Sequence, residues 1–572
     1  MARLFRPRAA RSFGKPPIAI LPGFFSFCRS SMNDIGCLVH YVCVAHSGIQ
    51  CWQSARADGK ADHKQRDMAK IRNSYVTSVV VGGLAVTYAV SRLIGLTTLP
   101  IFRDEAIHIQ WAAQISRGHL LAPLHDGKLL HVWLIALGLP WVSDPLWVAR
   151  VLAVLEGAIA LYACFCIGAR LYDRLAGFLC AALYVMCPFT LFHDRMALAD
   201  GPLSAFAALT LLWSIAVIQD ARRFYVFLLG LAMAGAILCK MPGLLTLLTP
   251  VMAAFLLAKP PRIRLANQLA LSYCITLALV VVPIVIFLLT TRQHQEKSVL
   301  GENVWALMGQ VATNVQTTSK WLWFYWTPPV LALGLVGFVF AVIKRNREHL
   351  LLAATSLVPI FVFIAISRVL FSRYLLPATV PALTLVAGVV TVDITPRIAR
   401  LIRLAHPVAV RAVPGILVCV VVGLFAWKVN WLLLTNPAHA PLPRADLNQY
   451  VERWPSGYGV AEAAHYLRCL ARGYPGGIVV AYHDSKDFGL KVSLMNEKRI
   501  AVRHLNMRGE NNMLKLVAWS RNKPTFVVLN RPPVSGTLSE QPDRPELLKF
   551  ADLVQSFRKP GGRASVDVYR LK

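Results

Sequence analysis

Between residues 74 and 434 the chain is a series of long apolar runs, and no other feature constrains its fold as much. A run of about 20 apolar residues crosses the hydrocarbon core as a helix, because inside lipid the backbone polar groups must satisfy one another. Such runs fall at 74–96, 129–143, 145–169, 174–192, 200–219, 224–239, 241–258, 269–291, 330–343, 350–366, 374–394 and 414–434. The pattern predicts an all-α polytopic membrane protein with about 11 to 13 transmembrane helices. Composition excludes an ordinary soluble fold: 56% of the 572 residues are hydrophobic and 16% charged, against roughly a quarter charged in globular chains.

A formal net charge of +31 would suit a nucleic-acid partner, but the excess cations are spread through short loops between apolar runs, as the positive-inside rule produces. Basic loops at Arg222–Arg223, Lys259–Arg264, Lys344–Arg347 and Arg397–Arg403 are therefore read as cytoplasmic. Counting spans from them puts Asp200, Lys240, the loop 292–329, the turn Ser367–Arg373 and everything after 435 on the outer face. The basic flank Lys70 and Arg72 starts the first span inside, so the loop 101–128 is outer too. Parity then requires that one of 129–143, 145–169 and 174–192 does not cross, and the shortest, 129–143, is expected to lie along the interface.

Residues 1–67 read as an N-terminal extension, unstructured or upstream of the true start, since Met68-Ala-Lys-Ile-Arg is a normal basic opening for a first membrane helix. A signal peptide is the competing reading. Residues 68–434 are expected to form the membrane domain, with 101–128 as its first long outer loop, the candidate for any catalytic loop. From 435 to 572 the composition turns mixed, with a helical stretch Gly459–Arg472 and β-rich runs Gly477–Tyr482, Pro524–Asn530 and Ser565–Tyr569. These predict a small extracytoplasmic α/β domain. Of 12 cysteines only Cys469 lies in that domain, so it forms no internal disulfide, and no C-x-x-C pair offers a zinc site. No Walker or dinucleotide loop is present, which leaves ATP-driven transport without support.

Thirteen of the 29 acids fall within 74–434, so the succession Phe102-Arg103-Asp104-Glu105-Ala106 beyond the first span needs explaining. A carboxylate at the water–lipid boundary can take a proton from an incoming hydroxyl or amine; a solvated helix start, where acids favour the dipole, explains the pair equally. Ile107, Trp111 and Ile115 then make one apolar stripe, an amphipathic helix in the interface. A second charged group, His193-Asp194-Arg195-Met196-Ala197-Leu198-Ala199-Asp200, directly precedes a span. Asp200 suits an N-cap, but capping leaves Asp194 and Arg195 unexplained. Lys240-Met-Pro-Gly243 is a tight outer turn whose lysine either snorkels or meets a phosphate. The stretch Trp321–Trp326 reads as an interfacial aromatic belt, with a sugar or isoprenoid groove as the sharper alternative.

Taken together, the acid pair, Arg195-x-Ala-Leu-x-Asp200, the Lys240–Gly243 turn and Arg373-Tyr374-Leu-Leu-Pro377 resemble the GT-C superfamily of membrane glycosyltransferases. The branch they look most like is the bacterial one, similar to protein O-mannosyltransferases and aminoarabinose transferases. The resemblance covers about 74–394 and excludes the first 67 residues. It implies a cell-envelope hexosyl- or pentosyltransferase in a bacterial inner membrane. Such an enzyme moves a sugar, with inversion, from a polyprenyl-phosphate carrier to a lipid, glycan or protein acceptor on the outer face. Carried over, Asp104 is the general base, Glu105 stands beside it for positioning or for the acceptor, and Asp200 is the second acidic catalytic residue, which orients the acceptor or donor. Arg195, Lys240 and Arg373 hold the donor phosphate, with Arg103, Asp194 and Tyr374 also at the substrate. Phosphate is a stable leaving group that needs charge neutralisation more than protonation. Some relatives use a divalent cation, but the single acids at the later positions point to no metal and no cofactor here.

The rival class is a secondary transporter or lipid flippase, whose best support is Glu156 near the middle of an apolar run. The gathering of the other acids in outer loops and the lack of a half-to-half repeat weigh against it. A membrane-anchored binding or assembly protein, working through its C-terminal domain, is a third reading in which the outer charges are incidental.

Overall fold

The computed structural model describes residues 61–259, 263–291, 304–402, 407–483, 488–505, 511–531 and 550–572. Two compact units are present, Met1–Val79 and Val80–Lys572. The extension assigned to 1–67 lies outside the described residues as far as position 60; from Ala61 the chain is already helical, so the first helix starts before the predicted 74.

Every predicted apolar run is helical. In chain order the helices are α1 (Ala61–Leu93), α2 (Arg103–Ile115), α3 (Leu129–Gly138), α4 (Pro145–Leu171), α5 (Arg174–Met186), α6 (Pro188–His193), α7 (Asp200–Asp220), α8 (Arg223–Cys239) and α9 (Leu248–Leu257). They continue as α10 (Ile263–Thr291), α11 (Val304–Tyr325), α12 (Pro328–Ile343), α13 (Arg347–Ile366), α14 (Thr379–Gly388), α15 (Thr395–Ile402) and α16 (Pro407–Thr435). Among the described residues six stretches are long and apolar enough to cross a membrane: Pro145–Leu171, Asp200–Asp220, Ile263–Ile286, Arg347–Ile366, Ser372–Arg400 and Arg411–Thr435. Shorter apolar helices complete the bundle. The ten residues of α3 extend only about 15 Å at 1.5 Å per residue, half of a hydrocarbon core about 30 Å thick.

Contacts between helix ends sort the bundle into two faces. At one end Arg170, closing α4, binds Asp220, closing α7, at 3.0 Å, and His349 of α13 meets Asp393 at 3.0 Å. At the other end lie the start of α4, where Arg150 reaches Glu105, and the start of α7, where Asp200 meets Lys240. The basic loops cluster at the first end and the acid-bearing loops at the second.

The expected long loop 292–329 contains a helix. Its described part, α11, carries Asn314, Thr318, Trp321 and Tyr325 at i, i+4, i+7 and i+11, a helical face that is buried throughout. Thr327 at φ 67° then breaks the chain, and Gln310–Tyr325 meets Pro328–Ile343 at 112°. Trp321, Tyr325 and Trp326 are buried and only Trp323 is exposed, at 63%, so the aromatic stretch is mostly core rather than belt. Packing rather than an interfacial preference decides it, because Tyr325 also donates to Asp446 at 2.7 Å and Trp326 to Thr379 at 3.2 Å.

Beyond α16 a small domain holds a five-stranded sheet in the order β2-β1-β3-β5-β4. Its strands are β1 (Ile478–His483), β2 (Ile500–Leu505), β3 (Thr525–Arg531), β4 (Ala551–Arg558) and β5 (Ser565–Leu571). β1 runs parallel to β2 and β3, whereas β5 is antiparallel to β3 and β4. Helix α17 (Val460–Arg472) covers one face through Val460, Ala463, Ala464, Leu467 and Ala471, which pack against Val480, Phe526, Val528 and Val566. The domain sits on the acid-bearing end: Arg103 N donates to Pro455 O at 3.0 Å, Gln110 to Phe488 O at 3.2 Å and Asn496 to Ser143 O at 2.8 Å.

Candidate functional site

Asp104 and Glu105 share the first turn of α2, and successive helical residues diverge by about 100° around the axis. They consequently face different surroundings. Asp104 is 23% exposed, and its Oδ2 accepts from Arg373 Nη2 at 2.8 Å while Arg103 Nη1 lies 3.7 Å from Oδ1. Glu105 is fully buried and accepts four hydrogen bonds. Two come from Arg150 Nε and Nη2 at 2.9 and 2.7 Å, one from Ala197 N at 2.9 Å and one from Phe102 N at 2.9 Å. Glu105 is thus a brace that caps α2 and ties it to α4 and to the Met196–Ala199 segment, and the expectation that it meets substrate is corrected. Arg150 also donates to Leu96 O and Leu99 O at 2.8 and 2.7 Å, which fixes the loop leading into α2.

Asp200 opens α7 without capping it, since the N-cap is Ala199. Its Oδ1 accepts from Lys240 Nζ at 2.7 Å, and its Oδ2 lies 3.5 Å from Arg373 Nε. One arginine therefore links the two acids that sequence places 96 positions apart. The turn that presents Lys240 requires glycine at its end: a Cβ on Gly243 would stand 2.1 Å from Ala236 O, far inside any non-bonded carbon–oxygen contact. Tyr374 lies under Lys240, with the ammonium 4.3 Å from the ring centroid. Burial draws the Lys240 ammonium below its ordinary pKa, and Asp200 opposes that pull.

Arg373 is 6% exposed on its side chain and is held on every side. Nη1 donates to Gln449 Oε1 at 3.0 Å and to the Tyr450 hydroxyl at 3.2 Å, and the guanidinium carbon sits 4.3 Å from the Phe371 ring centroid. Gln449 and Tyr450 come from the segment after the last span. Burial pushes the Tyr450 hydroxyl well above the ordinary tyrosine pKa, so it is neutral and accepts from Arg373. Nearby, Asp446 accepts from Tyr325 and Ser372 at 2.7 and 2.9 Å, and burial pushes its carboxyl up to about 6.

The predicted residues accordingly divide. Asp104, Asp200, Lys240, Arg373 and Tyr374 converge. Arg103 touches Asp104 but also stacks its guanidinium over Trp454, 5.0 Å from the centroid, at the junction with the C-terminal domain. Asp194 and Arg195 do not join them. Asp194 is buried against Arg92 at 3.4 Å and the Tyr184 hydroxyl at 3.0 Å, and burial raises it to about 6. Arg195 donates to Ser91 O at 3.3 Å and Gly95 O at 2.6 Å. The physical reason is the tight turn around Met196 and Leu198, which aims Asp194 and Arg195 back toward α1 and Asp200 toward Lys240. Glu156 is paired with His131 at 3.1 Å, a buried brace rather than an isolated intramembrane charge.

Sequence reasoning missed Gln449, Tyr450, Arg150 and Lys128. Lys128 binds Asp126 at 2.6 Å, and its charge bears on both Asp200 and Lys240. An acid and a cation ending the outer loop 101–128 were the available signal for it. Among the described residues no three His, Cys, Asp or Glu side chains are arranged to hold a metal ion.

Beside the cluster lies an apolar groove of about 570 Å³, counting its open side, lined by Leu203, Pro242, Leu245, Met252, Phe363 and Pro377 among others. Two of its wall residues, Pro242 and Pro377, sit within four positions of Lys240 and Arg373 in the chain. The groove thus begins within one or two helical turns of the two cations, whose own side chains do not line it.

A family model described as dolichyl-phosphate-mannose-protein mannosyltransferase matches residues 126–287. A comparison with curated proteins finds no match. Among solved structures the chain is similar to ArnT from Cupriavidus metallidurans bound to undecaprenyl phosphate. The TM-score is 0.55 at 14% identity, over 86% of this chain and 98% of that one. The apo form of that ArnT gives a TM-score of 0.54 at 16% identity, over 87% and 98%. The likeness covers most of this chain and nearly all of that ArnT, and the chain has a GT-C-like fold.

Proposed function

We propose that the protein transfers a sugar from a polyprenyl-phosphate-linked donor to an acceptor hydroxyl or amine at the end of the bundle that carries Asp104. The observation that carries this reading is the pairing of Lys240 and Arg373, locked by Asp200, beside an apolar groove. A lipid phosphate needs both features, cations for its head and an apolar wall for its chain. ArnT, whose fold the chain shares, binds undecaprenyl phosphate, which supports the same donor class here.

In this scheme Asp104 is the base because it is the reachable acid, 23% exposed against 5% for Asp200. Its Oδ1 takes the acceptor proton as the acceptor oxygen or nitrogen bonds to the anomeric carbon. The bond from that carbon to the phosphate oxygen breaks on the opposite side, so the configuration inverts. Lys240 gives one N–H to Asp200 and offers its others to the departing phosphate, whose growing charge it neutralises. Asp200 is a positioning residue that keeps both cations in place. The C-terminal domain, joined to α2 next to Asp104, is suited to select the acceptor.

The test is incubation of the purified full chain with a panel of polyprenyl-phosphate sugars, following sugar transfer or, without acceptor, carrier hydrolysis. Turnover of at least one donor that is abolished in Asp104→Asn supports the reading. No turnover of any donor, or an Asp104→Asn variant within a few-fold of wild type, rejects it. Exchanging the C-terminal domain for a relative's without changing the acceptor removes the selection role.

A further inference from the structure

Three buried arginines surround the acid-bearing end of α1, and only two carboxylates answer them. Arg92 is paired with Asp194 and Arg150 with Glu105. Arg195, 7% exposed, has no ion pair among the described residues and meets only the carbonyl oxygens of Ser91 and Gly95. Those oxygens close the C-terminal end of α1, so they supply the partial negative charge of a helix dipole, about half an elementary charge. A whole buried cation is left incompletely neutralised, and a buried charge without a counter-charge is costly. Burial, with Arg150 and Arg92 adding repulsion, pulls Arg195 down to about 10.

The guanidinium lines a small open cleft whose other walls include Leu96, Leu99, the Glu105-paired Arg150, Phe192, Leu433 and Pro437. This cleft shares no lining residue with the groove beside Lys240 and Arg373. The loop wall is built for close approach: Gly95 sits at φ 55°, and a Cβ there would lie 2.9 Å from Leu434 O. Leu93 and Ile94 precede one wall and are 45% and 54% exposed, and Trp431 precedes the other at 59%. Apolar side chains exposed on both flanks of a membrane bundle face lipid, so the cleft opens where amphiphiles are.

We propose that this cleft is a second anion site, separate from the sugar-transfer cluster, which takes the phosphate head of an anionic membrane lipid on Arg195 and the first part of its chain against Leu99 and Leu433. The proposal concerns binding alone and stands whether or not the chain transfers sugar. A free phosphate has the same head chemistry but gains nothing from the apolar walls.

Native mass spectrometry of the full chain, released from nanodiscs containing phosphatidylglycerol or only phosphatidylcholine, distinguishes the sources. Wild type should retain one phosphatidylglycerol that Arg195→Met holds at least about tenfold more weakly, the loss expected for a charge-assisted hydrogen-bonded contact. Because Arg195→Met also releases the Ser91 and Gly95 carbonyls, Leu433→Phe serves as a second variant that narrows the cleft and keeps the cation. It should weaken the lipid adduct while leaving protection by inorganic phosphate against heating unchanged. Equal lipid retention in wild type and both variants overturns the proposal. So does Arg195-dependent protection by inorganic phosphate with no preference for phosphatidylglycerol, which would make the occupant a free anion.

Discussion

Adjacent acids with opposite duties make the sharpest prediction. Glu105→Gln removes the charge that answers Arg150, a side chain 1% exposed, and replaces an oxygen that accepts from a donor with an amide that faces it. Four hydrogen bonds converge on Glu105 at 2.7 to 2.9 Å, two from Arg150 and one each from Phe102 N and Ala197 N. Removing one partner of such a buried pair costs about 3–5 kcal/mol. Asp104→Asn, by contrast, alters a side chain 23% exposed whose amide oxygen can still accept from Arg373. Its effect on stability should stay under about 1 kcal/mol. Thermal unfolding of both variants in one detergent, followed by intrinsic fluorescence, should show a clearly lowered transition for Glu105→Gln and a near wild-type one for Asp104→Asn. Transfer activity should fall at least about a hundredfold in Asp104→Asn, the order expected on losing a general base. A Glu105→Gln variant that melts with wild type would refute the brace, and with it the division of labour between the two acids.

Lys240→Met should raise the donor KM by at least about tenfold, the loss of a charged hydrogen bond to phosphate, and steady-state kinetics over donor concentration would reveal it. Tyr450→Phe removes one acceptor from Arg373 and leaves Gln449, so kcat should drop by no more than about tenfold; joined to Gln449→Leu, the loss should exceed the sum of the two singles, as a double-mutant cycle measures. Asp446 is held at about 6 against an ordinary 3.8, so the folded state binds more protons than the unfolded one in that window and stability falls as pH rises through it. Asp446→Asn should therefore gain melting temperature relative to wild type as pH rises from about 4 to about 6, and a constant difference across that range would count against the buried carboxyl.

How much could be read in advance depended on range. Apolar runs are local signals, and each of them is a helix, even where α3 is too short to cross. The strands near 478, 525 and 565 were equally legible because their side chains are buried on both faces, as in β3. β2 and β4 lie at the sheet edges, where five consecutive residues of β4 are exposed, and their weaker pattern hid them. At the site, Asp104, Asp200, Lys240 and Arg373 stood out as charges next to apolar runs. Which way each one points was not legible, because the difference between Asp104 and Glu105 is a helical rotation, and that between Arg195 and Asp200 is one tight turn. Gln449 and Tyr450 carried no local signal; their meaning comes from contacts with a residue more than 70 positions earlier.

That long reach bears on biosynthesis. The last groups to grip the Arg373 guanidinium are encoded after the final membrane helix, so a ribosome that has delivered every membrane helix has not yet delivered a finished centre. A nascent chain halted before position 446 would lack two of the groups that hold Arg373, and the proposed transfer would begin only once the downstream segment had emerged and docked.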